Sequence, residues 1–150
     1  MLQPGDRAPE FTLPDERGVD TSLTALLDGP LILYFYPADF TPGCTRQACR
    51  IRGLHALILG SGLAVVGISP QSPDSHRRFR DRHDLPFKLL SDEDKTVIRM
   101  YGVHGPLGIG VRRASFFIER DRTVKGVMLA DFRIGRHEAF IRKAAEVAGG

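Results

Sequence analysis

Tryptophan is absent from the 150 residues, and cysteine occurs only twice. Two cysteines cannot build a disulfide-stapled scaffold. A chain of this length does not need one, because it can bury roughly 70% of the surface its unfolded form exposes. In a reducing compartment a close cysteine pair points instead to chemistry or metal binding. Long apolar runs are missing too. The best stretch, Ala56 to Ile68, is broken by Gly60, Ser61 and Gly62, whereas a membrane span needs about 18 apolar residues. The opening MLQPGDRAPE has no apolar core of a signal peptide, so a cytoplasmic protein that binds no membrane is expected. Neither charge sign dominates. Lys plus Arg is 21 against 18 for Asp plus Glu, an excess too small to predict nucleic-acid binding. No repeat, low-complexity tract or linker appears, and one domain over residues 1–150 is expected.

What is present is a soluble, globular balance, with 42% hydrophobic and 26% charged residues, which argues against disorder. Leu31 to Tyr36 is a continuous apolar, partly aromatic run, the pattern of a central strand buried on both faces. Leu63 to Ile68, Phe87 to Leu90 and Ser115 to Ile118 repeat the pattern. Val124 to Leu129 follows a hairpin-like turn at Asp121-Arg122, and Phe11 to Leu13 opens a further strand. Helical stretches alternate with these: a short turn over Thr21 to Leu27, then Thr41 to Leu59. Another runs from Ser72-Pro73 to about Arg82, with a serine cap and a first-position proline. A third starts at Ser91, with acids at its positive end, and the last spans Arg136 to Val147. Alternating strands and helices that end in a hairpin predict an α/β fold around a mixed sheet.

The segment Pro37-Ala-Asp-Phe-Thr41-Pro-Gly-Cys44 follows directly on the Leu31 to Tyr36 strand. Thr41 suits a helix cap and Pro42 the first helical position, so Cys44 falls inside the first turn. Unpaired N–H groups and the positive end of the helix dipole point there and favour a thiolate. A lone cysteine so placed is more often buried and inert, but Cys49 follows in the same predicted helix. C-x4-C is not the C-x-x-C of dithiol oxidoreductases. Nor does it suit zinc, since no second Cys or His pair completes four ligands. On a regular helix the two cysteines lie about 7.5 Å apart along the axis and 140° apart around it, a Cα separation of roughly 8.7 Å. A disulfide tolerates about 7 Å. A bond between them therefore requires the helix to open from Cys44 to about Arg52, with Gly53 placed to end the opening.

YFYPADFTPGCTRQAC resembles the peroxiredoxin signature P-x-x-x-T-x-x-C, carried by Pro37, Thr41 and Cys44. Cys49 resembles the resolving cysteine of the Q-type peroxiredoxins, the bacterioferritin comigratory protein group. The likeness continues through GISPQSPDSHRRFRDRHDLPFKLLSDED, YGV and Arg113-Ala-Ser-Phe-Phe-Ile, and covers about Gly5 to His137. Gln47 stands where many relatives have glutamate, and the loop from His104 to Arg112 is unusually rich in glycine. The resemblance implies a thioredoxin-like fold, a mixed central sheet flanked by helices, as one peroxiredoxin domain of the AhpC/TSA type. It also implies reduction of hydrogen peroxide and organic hydroperoxides without metal or organic cofactor, the electrons coming from sulfur. Cys44 is then the peroxidatic and Cys49 the resolving cysteine of an intramolecular disulfide. Thioredoxin or a similar dithiol would regenerate it, on a monomer or weak homodimer.

By the same resemblance, the Thr41 hydroxyl contacts the peroxide as donor and acceptor. Arg113 supplies a fixed positive charge beside sulfur, and Pro37 shields the thiolate. Arg112, sent to the opposite face by strand alternation, reads as a solvated neighbour. Gly102 to Gly110 lacks the G-K-[ST] of a phosphate loop and reads as a mobile loop. Arg77 to Asp84 reads as a solvated helix face laced with ion pairs, and Asp39 as a turn residue. Three rival readings share parts of the pattern. A non-catalytic redox sensor would use the same disulfide, without turnover. A glutathione-peroxidase-like enzyme would rely on Trp. An arginine-rich nucleic-acid module would bind with strong salt dependence.

Overall fold

Leu31 to Phe35 is buried along its whole length, as its unbroken apolar pattern requires, and the rest of the fold is arranged around it. The computed structural model describes residues 1–150. In chain order it runs β1 (Thr12–Pro14), β2 (Asp20–Ser22), α1 (Leu23–Leu26), β3 (Leu31–Phe35), α2 (Pro42–Gly53), α3 (His55–Ser61) and β4 (Ala64–Ser69). There follow α4 (Pro73–His83), β5 (Lys88–Ser91), α5 (Thr96–Met100), β6 (Ala114–Ile118), β7 (Val124–Leu129) and α6 (Ile134–Gly149). The first two strands form a small antiparallel hairpin. The other five form one mixed sheet in the order β5-β4-β3-β6-β7. The three strands from β3 to β5 are parallel, β6 runs against them, and β7 runs against β6 and so in the direction of β3.

Strand alternation divides β3 between two cores. Leu31, Leu33 and Phe35 pack with Phe116, Ile98 and Tyr101 on one face. Ile32, Tyr34 and Tyr36 pack with Ala48 and Ile51 of α2, Phe79 of α4 and Ile141 of α6 on the other. No helix is long and apolar enough to cross a membrane.

Two helices differ from expectation. The single helix predicted over Thr41 to Leu59 is two, because the chain turns at Leu54 (φ −94°, ψ 5°). The Leu54 N–H reaches back only to Ile51, at 2.9 Å, and the side chain turns into the core. Gly53 just before it lowers the cost of the break. The helix predicted from Ser91 begins only at Thr96. Ser91 ends β5, and the Asp92 carboxylate accepts from the Val97 and Ile98 N–H groups at 3.3 and 2.7 Å. An acid five residues ahead thus serves the first turn, after Lys95 has taken a left-handed conformation at φ 60°.

The carboxyl ends of β3, β4 and β5 open on one edge of the sheet, where α/β proteins place their sites. Phe35 is paired with Ala114, so the start of antiparallel β6 lies at that same edge. Residues 36–41 and residue 113, far apart in the chain, are brought together there.

Candidate active site

The loop from Pro37 to Thr41 leads from β3 into α2. The Tyr36 N–H still pairs with Ile68 at 3.0 Å; Pro37 has no N–H and ends the ladder. Phe40 sits at φ 65°, an uncommon conformation for a bulky residue. Thr41 takes the extended cap conformation and Pro42 opens the helix, as expected. The cap hydrogen bond is absent, however. The Thr41 hydroxyl donates instead to the Ala38 carbonyl, at 2.9 Å. Its lone pairs are left to accept. Cys44 lies in the first turn and is buried, among backbone donors that have no partner within the helix.

Arg113 reaches this turn from the start of β6 and is buried. Its Nη2 donates to the Cys44 sulfur at 3.4 Å and its Nη1 to the Gln47 side-chain oxygen at 2.6 Å. Its Nε donates to the Asp131 carbonyl at 3.3 Å and its backbone N–H to the Asp131 carboxylate at 3.0 Å. The guanidinium is thus held on three sides and delivers a positive charge to the sulfur. A Cβ at Gly43 would meet Nη2 at 3.1 Å, so the glycine before Cys44 makes room for the arginine. The Gln47 Nε2, also buried, has no partner.

Arg112 is not a bare solvated neighbour: it lines the same depression as Arg113. It grips the second Asp131 oxygen at 2.7 and 2.9 Å. Those bonds, with the Arg113 N–H and the charges of both arginines, hold the Asp131 carboxyl below the usual carboxylate range despite partial burial. Behind the loop that carries Asp131, His137 accepts from or donates to Ser115 at 2.9 Å and contacts the Ala130 carbonyl at 2.8 Å. Burial pushes its imidazole below the usual range. It is neutral there, with Nε2–H donating to Ala130 and Nδ1 accepting from the Ser115 hydroxyl.

Cys49 is half-buried, and both cysteines are free thiols. Both lie within α2, so the helical separation expected from the sequence applies. The Cys49 sulfur is 4.0 Å from His83 Nδ1 of α4. An open depression of about 1140 Å³ reaches Pro37, Thr41, Gly43 and Arg113. Its rim carries Leu107, Ile109 and Phe132, which are 98%, 73% and 95% exposed. The first two belong to the glycine-rich loop, which contains one 3-10 turn over Pro106–Gly108. No three His, Cys, Asp or Glu side chains are grouped to hold a metal ion.

The Arg77 to Asp84 segment is only partly a solvated, self-paired face. Arg77 and Arg78 pair with Asp74, Arg80 reaches Glu16, and Phe79 is buried. Asp39 is no plain turn residue. It is buried and bonded to Tyr36, Ser75 and His76. Gln47, Asp131, His83 and the Asp39–His76 pair are the site neighbours that reading along the chain missed. Their linear signals are that Asp39 and Gln47 lie inside the segment that resembles the family signature, and that His76 and His83 lie in the stretch that continues the likeness.

The AhpC/TSA family matches residues 4–127. The chain belongs to that family. Within it, the putative peroxiredoxin bcp of Coxiella burnetii is 40% identical over 132 residues, 84% of this chain and 87% of the relative. Peroxiredoxin Bcp of Escherichia coli K12 is 39% identical over 142 residues, 91% of this chain and 90% of the relative. The crystal structure of peroxidoxin BcpB from Mycobacterium tuberculosis superposes with a TM-score of 0.92, at 34% identity, over 98% of both chains. This peroxiredoxin is therefore of the Bcp and peroxiredoxin Q group. It is a thiol peroxidase with a peroxidatic cysteine on a thioredoxin-like fold. The peroxiredoxin signature lies on the loop and first turn described above, with the guanidinium at the thiol.

Proposed function

We propose that this peroxiredoxin reduces hydrogen peroxide and organic hydroperoxides with Cys44 as peroxidatic and Cys49 as resolving cysteine. The whole of residues 1–150 acts as one cytoplasmic domain, monomeric or weakly dimeric, regenerated by thioredoxin or a similar dithiol. One observation carries the reading: the Arg113 guanidinium 3.4 Å from a buried Cys44 sulfur in the first turn of α2.

The Cys44 thiolate attacks one peroxide oxygen. The S–O bond forms, the O–O bond breaks, and the other oxygen leaves as alkoxide or hydroxide, which takes a proton to become alcohol or water. Negative charge moves from sulfur to the departing oxygen, and Arg113 with the first-turn N–H groups faces both ends of that path. The Thr41 hydroxyl, its hydrogen committed to Ala38, accepts the peroxide's own hydrogen. Pro37 walls the entrance. Cys49 then attacks the Cys44 sulfenate, the S–S bond forms and water leaves. A dithiol reductant exchanges with that disulfide and restores both thiols. Peroxide consumption with thioredoxin, compared with glutathione, tests the cycle. Faster turnover with thioredoxin is expected, and no turnover with either would overturn the reading.

The disulfide requires α2 to open, because its regular geometry holds the cysteines roughly 8.7 Å apart. Hydrogen exchange on residues 45 to 51 is expected to be far faster in the disulfide form than in the reduced form. Equal protection would sink the opening. The break at Leu54 supports a unit that ends at Gly53. An added Cβ at Gly53 meets nothing within 4 Å, so Gly53→Ala is expected to stabilise α2 by about 1 kcal/mol. Opening then becomes about fivefold rarer, and at high peroxide more sulfenate goes on to sulfinic acid. Mass spectrometry of the 32 Da adduct of Cys44 against the disulfide measures the split.

The exposed rim of Leu107, Ile109 and Phe132 supports organic hydroperoxides as substrates. Phe132→Ser is expected to slow reduction of cumene hydroperoxide about fivefold, the effect of about 1 kcal/mol of lost apolar contact. The rate with hydrogen peroxide is expected to stay unchanged. An equal loss with both substrates would remove the rim from substrate recognition.

A further inference from the structure

The side-chain hydrogen bonds that tie the site's loop to the body of the protein converge on one residue, Asp39. Its carboxylate accepts from the Tyr36 hydroxyl at 2.6 Å, from the Ser75 hydroxyl at 2.8 Å and from His76 Nδ1 at 2.7 Å. The other nitrogen, His76 Nε2, faces the Leu90 carbonyl at 3.0 Å. Both side chains of the Asp39–His76 pair are wholly buried. Each ring nitrogen thus faces an oxygen of another element. One residue of the loop is thereby bonded to the end of β3, to the first turn of α4 and, through His76, to β5.

None of the chemical steps above uses these groups, yet they flank the ones that do. Ala38, whose carbonyl takes the Thr41 hydroxyl hydrogen at 2.9 Å, immediately precedes Asp39. Phe40, held at φ 65°, immediately follows, with its ring edge-on against Phe79 of α4, 5.2 Å between centroids. A non-glycine residue keeps such a conformation only where its surroundings over-determine it.

We infer that the buried Asp39–His76 pair is the positioning device of the peroxide site. It fixes the Ala38 carbonyl and hence the direction in which the Thr41 oxygen offers its lone pairs to the peroxide. The inference rests on the reading of Thr41 and Cys44 as the peroxide site. It also bears on the cycle. The anchor lies before α2, so the helix can open from Cys44 onward while the loop and Thr41 stay in place for the next turnover.

The test separates aim from mere integrity. Asp39→Asn and the milder Tyr36→Phe are each made alone and with Thr41→Val. Two rates at Cys44 are read: oxidation by hydrogen peroxide, by rapid-quench mass spectrometry, and alkylation by iodoacetamide. Alkylation needs the sulfur and access to it but not Thr41. A misplacement of about 1 Å costs about 10²-fold, so Asp39→Asn is expected to slow oxidation by about that factor and to leave alkylation unchanged. Tyr36→Phe is expected to act in the same direction, more weakly. In the Thr41→Val background both losses are expected to vanish, because residues that act through one another are not additive. If Asp39→Asn does not fold, Tyr36→Phe alone decides. Equal losses in oxidation and alkylation, or losses that persist in full without the Thr41 hydroxyl, would overturn the inference. Absence of Cys44 oxidation in the unaltered protein would overturn the proposed function instead.

Discussion

Cys44→Ser is expected to end peroxide consumption altogether, whereas Cys49→Ser is expected to consume one peroxide per chain and stop. The two sulfurs sit in one helix but in different fields. Cys44 is buried in the first turn, 3.4 Å from a guanidinium that is itself held by Gln47 and Asp131. Cys49 lies more than a turn further on, its sulfur 4.0 Å from His83 Nδ1. A serine hydroxyl is not ionised at neutral pH, so position 44 loses its nucleophile outright. With serine at 49 the first step is intact, but the sulfenate has no second thiol in the chain, since only two cysteines exist. It persists until dimedone traps it. Mass spectrometry then finds a single dimedone adduct, on Cys44. Loss of the single turnover in Cys49→Ser, with its retention in Cys44→Ser, would reverse the two roles.

Features written locally in the chain were legible before the structure. The apolar run of β3, the serine cap of α4, the Thr41-Pro42 start of α2 and the C-x4-C spacing each depend on neighbours within a few residues. The break between α2 and α3 was not legible, because its only linear sign is Gly53. A mid-helix glycine costs only about 1 kcal/mol, which many helices tolerate. Packing of Leu54 into the core decides it. The late start of α5 was misread because Ser91-Asp92 looks like a cap in the linear sequence. The carboxylate instead reaches the N–H groups of Val97 and Ile98. Contacts between distant segments were hidden entirely. Asp39 meets His76 across 37 residues, and Gln47 meets Arg113 across 66. Both depend on the sheet order and on the pairing of Phe35 with Ala114, which no local pattern encodes. Arg113 itself was found only through the family likeness, since nothing in its own neighbourhood distinguishes it from Arg112.

That distinction is the basis of the second large effect. Arg113→Ala is expected to slow sulfenate formation by about 10²–10³-fold, the magnitude of a lost transition-state donor. Help with ionisation alone cannot reach that size. A thiol with an ordinary pKa of about 8.5 is about 3% ionised at pH 7, so complete ionisation gains about 30-fold at most, and nucleophilicity falls as the thiolate becomes more stable. The remainder must come from charge met on the departing oxygen. The rate is therefore measured at a pH where both proteins are fully thiolate, which removes the ionisation part from the comparison. Removing the guanidinium also leaves the buried Gln47 side chain without its partner, a cost of about 1–3 kcal/mol in stability, so folding is checked alongside. Arg112→Ala is the control. It takes two donors from one Asp131 oxygen but leaves the bond between the other oxygen and the Arg113 N–H, so the rate is expected to change little. Equal rates for the unaltered protein and Arg113→Ala under those conditions would leave Arg113 acting on the thiolate alone, and the stabilisation of the departing oxygen would fall to Thr41 and the first-turn N–H groups.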